Sequence, residues 1–365
     1  MKVLHIITRM NTGGPAVFLD HLTNAMSELG TQSTIAYGDC ESNESDFTQT
    51  HTLNAKLVKV KTLHRSLNLR DDFRSFLELR KIINELKPDI INTHTSKAGV
   101  LGRLAAKLVD RNIPIVHTYH GHLIYGYFSR FKAYSFALIE RFLARFTSAA
   151  VFITHETQQT WNQLSVGKKI RSEVIRLGIP INIDLVPQSS FPSRIKLLWV
   201  GRFTSIKDPM YAIEVLRYLE NNLPGKYFMK MIGGGELLDL AQLAAKNLPV
   251  DFSGWVDNPF RQVDDFNLLM LTSINEGMGL VVLEAANLAR PTISRDIGGV
   301  GEFIEDNVTG FLVKGNPELM AQRILQLSIE VLIKVGTNAR SLLVRDFSDS
   351  ELARNYHNLY NSLLK

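Results

Sequence analysis

The sequence predicts an α/β protein made of two doubly wound domains, each a mostly parallel sheet covered by helices. The chain has 365 residues, of which 45% are hydrophobic, and this is more than one compact core usually holds. Short β-rich segments alternate with helical segments, and the whole alternation occurs twice. Between the two series, residues 178–194 contain three prolines and no helical stripe, which is typical of a linker.

The first series begins with the β-rich segment 2–7, the glycine turn NTGG at 11–14 and a helical pattern over 15–29. A second helix is predicted over 71–89, with one apolar stripe formed by Phe73, Phe76, Leu77, Ile83 and Leu86. The series continues with alternating strands and helices, predicted at 90–94, 98–110, 114–120, 131–147 and 149–154.

The second series has the same plan. Strands are predicted at 195–201, 227–233, 250–256, 267–273, 292–296 and 310–313. Helices are predicted at 209–221, 236–247, from about 279, and at the end of the chain. We expect domains at 1–185 and 186–345 that face a central cleft, where the carboxyl ends of parallel strands place ligands. Residues 346–365 are predicted to form the closing helical segment.

Composition narrows the class of protein. A lone cysteine, Cys40, excludes an internal disulfide and the paired-cysteine metal and redox motifs, which fits a reducing cytoplasmic compartment. No segment has the length and hydrophobicity of a signal peptide or a membrane-spanning helix. The net charge of +5 is mild, and with no basic stripe or recognition motif we expect no nucleic-acid partner.

Two cations follow the first strand of the second series. In LLWVGRFTSIKD, Arg202 and Lys207 come just after Gly201. A guanidinium fork and a lysine point charge beside a glycine are suited to a diphosphate. An isolated pair of this spacing is more often a solvated surface pair, and only its position at a strand end favours binding.

A second motif, EGMGLVVLEA, has glutamates at 276 and 284 around a glycine-bearing apolar run. It reads as a strand end, a turn and a helix whose first amides approach a phosphate or sugar oxygen. Eight residues of helix span roughly 12 Å and return to nearly the same face, so the two carboxylates suit hydroxyl donors at both ends of a nucleotide sugar. Dipole-complementing, exposed glutamates are the structural alternative, but the apolar neighbours of Glu284 disfavour it.

These motifs, together with SRDIGGVGEFI and NVTGFLV downstream, resemble the C-terminal domain of retaining glycosyltransferases of family 4. The resemblance extends over nearly the whole chain and includes NTGGPAVFLDHL near the start. It also includes the last segment, 346–365, and implies that this helix crosses back to the first domain. It implies the GT-B fold, with two Rossmann-like domains. More narrowly, INTHTSKAGVLGRLAA and VHTYHGHLIYGYFS resemble bacterial enzymes that extend undecaprenyl-diphosphate-linked oligosaccharides, including N-acetylgalactosaminyltransferases of glycan assembly.

The resemblance implies roles for individual residues. It assigns the donor diphosphate to Arg202 and Lys207, the ribose hydroxyls to Glu284, and the donor sugar to Glu276 with the amides that follow. The donor-binding residues implied in this way are Gly13, Gly14, Arg202, Lys207, Gly277, Met278, Gly279, Leu280 and Glu284. His120 matches the histidine that faces the transferred sugar and, with Glu276, is expected to be catalytic. Ser96 and Lys97, which open a predicted helix, are candidates for contact with an acceptor phosphate.

Some positions depart from the family pattern. Met278 stands where phenylalanine is common, Arg290 where a small residue is usual, and Gly301 where proline is frequent. The linker lacks the usual asparagine–glycine–hydrophobe–aspartate run, which puts the family's contacts from that segment in doubt.

No metal and no cofactor are expected. The pattern H-x-x-H-x-H (His117, His120, His122) resembles a ligand set, but strand alternation places the first two side chains on opposite faces. No D-x-D triplet occurs, so the metal–diphosphate clamp of the other major glycosyltransferase fold is missing.

The expected activity is a retaining, metal-independent transfer from a nucleotide sugar, such as a UDP-N-acetylhexosamine, to a lipid-diphosphate-linked glycan in bacterial polysaccharide synthesis. Segment 125–146 combines aromatic and basic residues and suits peripheral contact with the anionic inner face of the plasma membrane, although it equally suits a helix that covers the sheet.

Other functions were weighed on the same residues. A dinucleotide oxidoreductase needs G-x-G-x-x-G after the first strand, and NTGGPA lacks that spacing. A sugar-nucleotide epimerase of the same fold needs no acceptor, and a non-catalytic nucleotide-sugar-binding protein would keep only the donor site. Both stay open as alternatives.

Overall fold

A computed structural model describes residues 1–41, 44–121, 130–166, 170–181, 194–256, 258–262 and 265–365. They form two compact units. One contains the chain up to Pro180 together with Ser348–Lys365, and the other runs from Ile181 to Phe347. Most of the predicted linker, residues 122–124 and residues 125–129 of the segment 125–146 lie outside the described residues.

The first unit contains a seven-stranded sheet. Its strands are β1 (Lys2–Arg9), β2 (Gln32–Gly38), β3 (Lys56–Lys59), β4 (Ile90–His94), β5 (Ile115–Tyr119), β6 (Ala149–Phe152) and β7 (Arg171–Val174). They pair in parallel in the order β3-β2-β1-β4-β5-β6-β7. The helices are α1 (Gly14–Glu28), α2 (Phe47–Thr50), α3 (Leu69–Leu86), α4 (Ser96–Val109), α5 (Arg130–Leu143) and α6 (His155–Gln163).

The second unit repeats this plan with six strands. They are β8 (Ile195–Val200), β9 (Tyr227–Ile232), β10 (Val250–Phe252), β11 (Leu268–Leu271), β12 (Thr292–Arg295) and β13 (Phe311–Val313). All pair in parallel, in the order β10-β9-β8-β11-β12-β13. The helices are α7 (Pro209–Asn222), α8 (Leu238–Ala244), α9 (Pro259–Gln262), α10 (Leu280–Asn287), α11 (Pro317–Leu325) and α12 (Ile329–Asp346).

Both faces of each sheet are covered, so the strands are apolar on both sides. Along β8, Leu197 and Trp199 join one apolar cluster and Leu198 joins the other, because successive side chains point to opposite faces. The direction of the strand order changes beside β1 and beside β8, and ligands bind at such switch points in this fold class.

The last helix, α13 (Asp349–Leu363), completes the first unit. It packs against α1 and hydrogen-bonds to the sheet, since Asn92 Nδ2 donates to the Tyr360 hydroxyl over 2.8 Å. Ser348, the residue before this helix, lies directly against Gly178. An added Cβ at Gly178 would lie 2.3 Å from the Ser348 carbonyl oxygen, so only glycine leaves room for the start of the helix.

The predicted stripe of α3 is wrong in two positions. Phe73 and Leu77 are exposed, whereas Leu79, Ile82 and Ile83 are buried against the sheet. Apolar residues occur on more than one side of this helix, and the periodicity alone does not show which side the sheet covers.

Candidate active site

The predicted site residues follow the carboxyl ends of strands and fall into two groups, one in each unit. Gly13, Gly14, Ser96, Lys97 and His120 belong to the first unit. The second unit contains the cations, the two glutamates and the glycine turn between them, namely Arg202, Lys207, Glu276, Gly277, Met278, Gly279, Leu280 and Glu284. Each group is described by itself.

Lys207 and Glu276 are in direct contact in the second unit. The Lys207 ammonium donates to Glu276 Oε2, and both side chains are mostly buried. Ser273 Oγ donates to the same carboxylate oxygen over 3.0 Å. A cation and a carboxylate separated by 69 positions in sequence are thus brought to one point between the ends of β8 and β11.

The loop that carries Lys207 is held by polar contacts from three strands. Asp208 has a left-handed backbone (φ 48°), and Arg295 at the end of β12 donates to its carboxylate over 3.1 Å. Thr272 Oγ1 lies 2.9 Å from the carbonyl oxygens of Lys207 and Asp208 and accepts from Trp199 Nε1 over 2.8 Å. The loop is therefore built to hold the lysine in one place.

The turn between Glu276 and α10 depends on glycines. Gly279 has φ 80° and precedes the helix without a capping side chain. The Val282 amide donates to the Gly279 carbonyl oxygen, and within the described residues the amides of Leu280 and Val281 are left for a ligand. Gly298 has φ 52°, and an added Cβ would lie 2.0 Å from the Glu276 carbonyl oxygen. Met278 is fully buried and offers only its backbone to a ligand, while Gly277 and Leu280 are half-buried.

Glu284 lies in the middle of α10 on a half-buried face. Burial raises the pKa of its carboxyl to about 7, and among the described residues none hydrogen-bonds to it or pairs with it. The predicted spacing treats the eight residues from Glu276 to Glu284 as helical. Only those from Leu280 onward are helical, so the helical rise and rotation apply to half of that interval. A carboxylate without a protein partner at this place is suited to accept from ligand hydroxyls.

Arg202 is exposed, and in the part of the chain that the structure covers its side chain has no hydrogen-bond or ion-pair partner. The structure therefore does not join it to the Lys207–Glu276 pair, but it leaves the guanidinium free for an anion.

Sequence reasoning missed an aromatic surface in this unit. Trp255, just after β10, is 50% exposed. Its indole lies against Gly234, where an added Cβ would come within 2.5 Å of the ring nitrogen. One part of the ring is covered and the rest is free, as in aromatic platforms that stack on nucleobases. The glycine run at 233–235 is the signal that could have pointed to this packing.

In the first unit, Gly13 precedes α1 and Gly14 opens it. Pro15 has no N–H, and the amides of Ala16 and Val17 already bond to the Gly13 carbonyl oxygen. Within the described ranges, the exposed Gly14 amide is thus the N–H of this first turn that is left for a phosphate oxygen.

His120 follows β5 directly and is partly buried. The Phe18 ring lies edge-on to it with centroids 4.8 Å apart, and its Nε2 lies 2.9 Å from Nδ1 of His94. Burial lowers the pKa of His120 to about 4, so the imidazole is neutral at physiological pH. His117 points to the other side of the sheet, where its ring lies against Gly99 of α4.

The two candidates for acceptor binding differ in their surroundings. Ser96 opens α4 and is half-buried. Lys97 is largely buried, and its ammonium pairs with Asp72 over 2.5 Å and also donates to the Ser66 carbonyl. An acceptor phosphate would have to compete with this carboxylate for the lysine.

Among the described residues, no group of three or more His, Cys, Asp and Glu side chains is placed to hold a metal ion. His122 lies outside those residues. In the same ranges, no helix is long and apolar enough to cross a membrane.

Helix α5 presents apolar side chains to solvent. Tyr134, Leu138, Ile139 and Phe142 are each close to half exposed, while Ala137, Glu140 and Leu143 face inward. Arg145 lies over the Phe142 ring at 6.0 Å. The helix therefore covers the sheet and also carries an outward face of apolar and basic groups.

Two sequence profiles of known families match the chain. The profile described as Glycosyltransferase Family 4 matches residues 12–182, and the one described as Glycosyl transferases group 1 matches residues 194–329. Together they cover most of both units. The chain therefore belongs to the glycosyltransferases that these two profiles describe and has the GT-B fold, as its motifs predicted.

Named relatives cover most of the chain. It is 26% identical over 311 residues to the UDP-Gal:alpha-D-GlcNAc-diphosphoundecaprenol alpha-1,3-galactosyltransferase of Escherichia coli, with 79% of each chain aligned. It is 25% identical over 361 residues to the GalNAc-alpha-(1->4)-GalNAc-alpha-(1->3)-diNAcBac-PP-undecaprenol alpha-1,4-N-acetyl-D-galactosaminyltransferase of Campylobacter jejuni, with 96% of each chain aligned.

Solved structures agree in fold. Anabaena HepE in complex with UDP and glucose aligns with a TM-score of 0.81 at 18% identity, over 99% of this chain and 100% of that chain. Sucrose-phosphate synthase from Thermosynechococcus elongatus aligns with a TM-score of 0.82 at 18% identity, over 100% and 99% of the two chains.

Proposed function

We propose that this enzyme transfers a sugar from a UDP-sugar, of the UDP-N-acetylhexosamine type, to a lipid-diphosphate-linked glycan, with retention of the anomeric configuration and without a metal ion. The observation that carries the proposal is the arrangement of Lys207, Glu276 and Glu284 around one glycine turn, where Glu284 has no partner among the described residues. The undecaprenol-linked substrates named for the Escherichia coli and Campylobacter jejuni relatives support the acceptor class.

In this proposal the second unit holds the donor. Arg202, Lys207 and the amides before α10 stabilise the diphosphate as negative charge develops on it. Glu284 accepts from the ribose hydroxyls, and Glu276 accepts from hydroxyls of the transferred sugar. Lys207 is neutralised by Glu276 in the free protein, so donor binding moves the lysine toward the diphosphate while Ser273 keeps the carboxylate in place.

The reaction exchanges one bond to the anomeric carbon for another. The bond to the diphosphate oxygen breaks, and the acceptor oxygen forms a bond on the same face of the sugar. The acceptor proton passes to the departing phosphate, which leaves as the nucleoside diphosphate. His120 is neutral and acts as a hydrogen-bonding group toward the transferred sugar.

A donor screen tests this function. Purified protein is mixed with undecaprenyl-diphosphate saccharides in detergent and with a panel of UDP-, GDP- and ADP-sugars, and nucleoside diphosphate release is followed. We expect UDP release with one sugar, only when the lipid acceptor is present, and loss of release in Lys207→Ala and Glu276→Ala. Conversion of the donor without acceptor would indicate an epimerase, and donor binding without turnover would indicate a binding protein.

The stereochemistry and the metal independence need separate measurements. NMR of the product should show the anomeric configuration of the donor, and EDTA should leave the rate unchanged. An inverted product, or activity that EDTA removes and a divalent cation restores, would contradict the proposed mechanism.

We also propose that the outward face of α5 docks on an anionic bilayer, at the inner face of the plasma membrane where a lipid-diphosphate acceptor resides. Its exposed apolar groups are flanked by the exposed Arg145, which complements a negative surface. The test is co-sedimentation with phosphatidylglycerol vesicles. Leu138→Ser with Phe142→Ser should weaken binding, whereas Leu240→Ser, at a similarly exposed leucine of α8, should not. Equal binding of all three proteins would reject this face.

A further inference from the structure

Three histidines form a hydrogen-bonded row across the middle of the first sheet. His5 lies on β1, His94 ends β4, and His120 follows β5, so they occupy three neighbouring strands. The parallel register pairs His5 with Asn92 and His94 with Thr118, so each step along the row moves two residues toward the carboxyl edge and stays on one face.

The contacts within the row are specific. His5 Nδ1 lies 3.2 Å from His94 Nε2, and His94 Nδ1 lies 2.9 Å from His120 Nε2. His94 is fully buried and uses both ring nitrogens. With one proton on each ring, the row has two arrangements. Either His5 donates to His94 and His94 donates to His120, or His120 donates to His94 and His94 donates to His5.

Burial keeps these rings neutral. It lowers the pKa of His5 to about 3 and holds the pKa of His94 well below its usual range, with further lowering from the neighbouring histidines. The proton position on His94 therefore fixes the proton position on His120.

The backbone just after His94 is held by threonine contacts. Thr95 has φ 62°, a conformation that β-branched residues rarely adopt, and the Thr8 and Thr95 hydroxyls lie 2.7 Å apart. Thr8 Oγ1 also accepts from the Ala98 amide over 3.2 Å, which ties β1, β4 and α4 together. Such strain persists only where the surrounding structure determines the position.

We propose that His94 is a positioning residue that orients the His120 imidazole and selects its tautomer, with His5 as the second support. The proposal rests on the proposed function only in that His120 is the group that meets the transferred sugar. His94 itself is buried behind His120 and acts through it.

The test uses two substitutions, each of which replaces one of the two His94 ring nitrogens with a side-chain amide. In His94→Asn the amide stands near the Nδ1 position and keeps the bond to His120, whereas in His94→Gln it stands near Nε2 and keeps only the bond to His5. His94→Phe keeps neither bond. The control is His117→Asn, at a histidine on the opposite face that is almost as buried and bonds through Nδ1 to Thr93 over 2.8 Å.

The first readout is the tautomer of His120 in the free protein. Nitrogen-15 NMR of histidine-labelled protein distinguishes protonated from unprotonated ring nitrogens, and the His120 signals are identified by their loss in His120→Asn. We expect one tautomer in the wild type, in His94→Asn and in His117→Asn, and a mixture in His94→Gln and His94→Phe. One unchanged tautomer in all of these proteins would overturn the proposal.

The second readout is transfer kinetics. We expect kcat to fall roughly 10- to 100-fold in His94→Gln and His94→Phe, less in His94→Asn, with the donor KM little changed. Equal losses in His94→Asn and His94→Gln would show that His94 only fills space. A mixed tautomer with unchanged kcat would likewise overturn its role in the reaction. If the wild type transfers no sugar, the proposed function fails, and the NMR comparison still decides what His94 does.

Discussion

Glu284 has surroundings unlike those of an ordinary surface glutamate. Its neighbours along α10 are apolar, and burial moves the pKa of its carboxyl from 4.5 to about 7. The burial of Glu284 was predictable from the sequence, because a glutamate among apolar residues of a helix is expected to be buried. The contact of Lys207 with Glu276 was not predictable, since it depends on how β8 and β11 pair in the sheet.

This pKa predicts how donor binding depends on pH. In the proposed donor site, ribose hydroxyls donate to the ionised carboxylate, so donor affinity should rise as pH increases through about 7, by up to about tenfold per pH unit below that value. Calorimetry between pH 6 and 8 measures it, together with proton release on binding. In Glu284→Gln both effects should disappear, and an unchanged pH dependence in that variant would assign the titration to another group.

The stability of the free protein should show the opposite trend from the same group. The folded state keeps a proton on Glu284 up to about pH 7, whereas an unfolded chain loses it near 4.5. Stability should therefore fall as pH rises from 4.5 to 7, relative to Glu284→Gln. Denaturant unfolding of the two proteins across this range measures the difference, and parallel curves would contradict the raised pKa.

At the scale of the elements, the alternation of strands and helices was predictable, while their contacts were not. Helix α3 has apolar residues on its exposed side as well as its buried side, so Phe73 was assigned to the wrong one. The histidine row was missed for a related reason. Strand alternation shows which face a residue occupies, but not that β1 lies beside β4 and β4 beside β5.

One turn in the second unit gives a sharp test. Gly298→Ala places a Cβ 2.0 Å from the Glu276 carbonyl oxygen and demands a left-handed backbone, so the turn or the Glu276 loop must move. We expect a loss of about 1–3 kcal/mol in stability and a larger loss of donor affinity. Denaturant unfolding and donor titration measure the two effects.

The matched control lies three residues away. Gly301→Ala meets nothing within 4 Å and should leave both quantities unchanged. Equal behaviour of the two variants would mean that the contact between this turn and Glu276 does not hold the donor loop.

At the scale of the whole molecule, the chain leaves the first unit after β7 and returns to it with α13. Five side chains of this helix are buried, namely Leu352, Ala353, Tyr356, Leu359 and Tyr360. Burying one large apolar side chain contributes roughly 1.5–3 kcal/mol, so the helix is a major part of that unit's core.

Deletion of residues 348–365 should therefore destabilise the first unit selectively. Hydrogen exchange followed by mass spectrometry should show lost protection in β4 and β5, with β8 and β11 unchanged. Tyr356→Ala should give a weaker form of the same pattern. Asn358→Ala, at an exposed position of α13, should give none, and uniform loss of protection in both units would contradict the assignment of α13 to the first.

The return of α13 also has a consequence for synthesis on the ribosome. The bond between Asn92 and Tyr360 joins residues 268 positions apart, and contacts of such separation form slowly. In the described residues the second unit is one continuous segment that ends at Phe347, so all of it is synthesised before α13 is. The unit that is translated first should thus be the last to complete its core, and until then the side of its sheet that α13 covers would be open to chaperones.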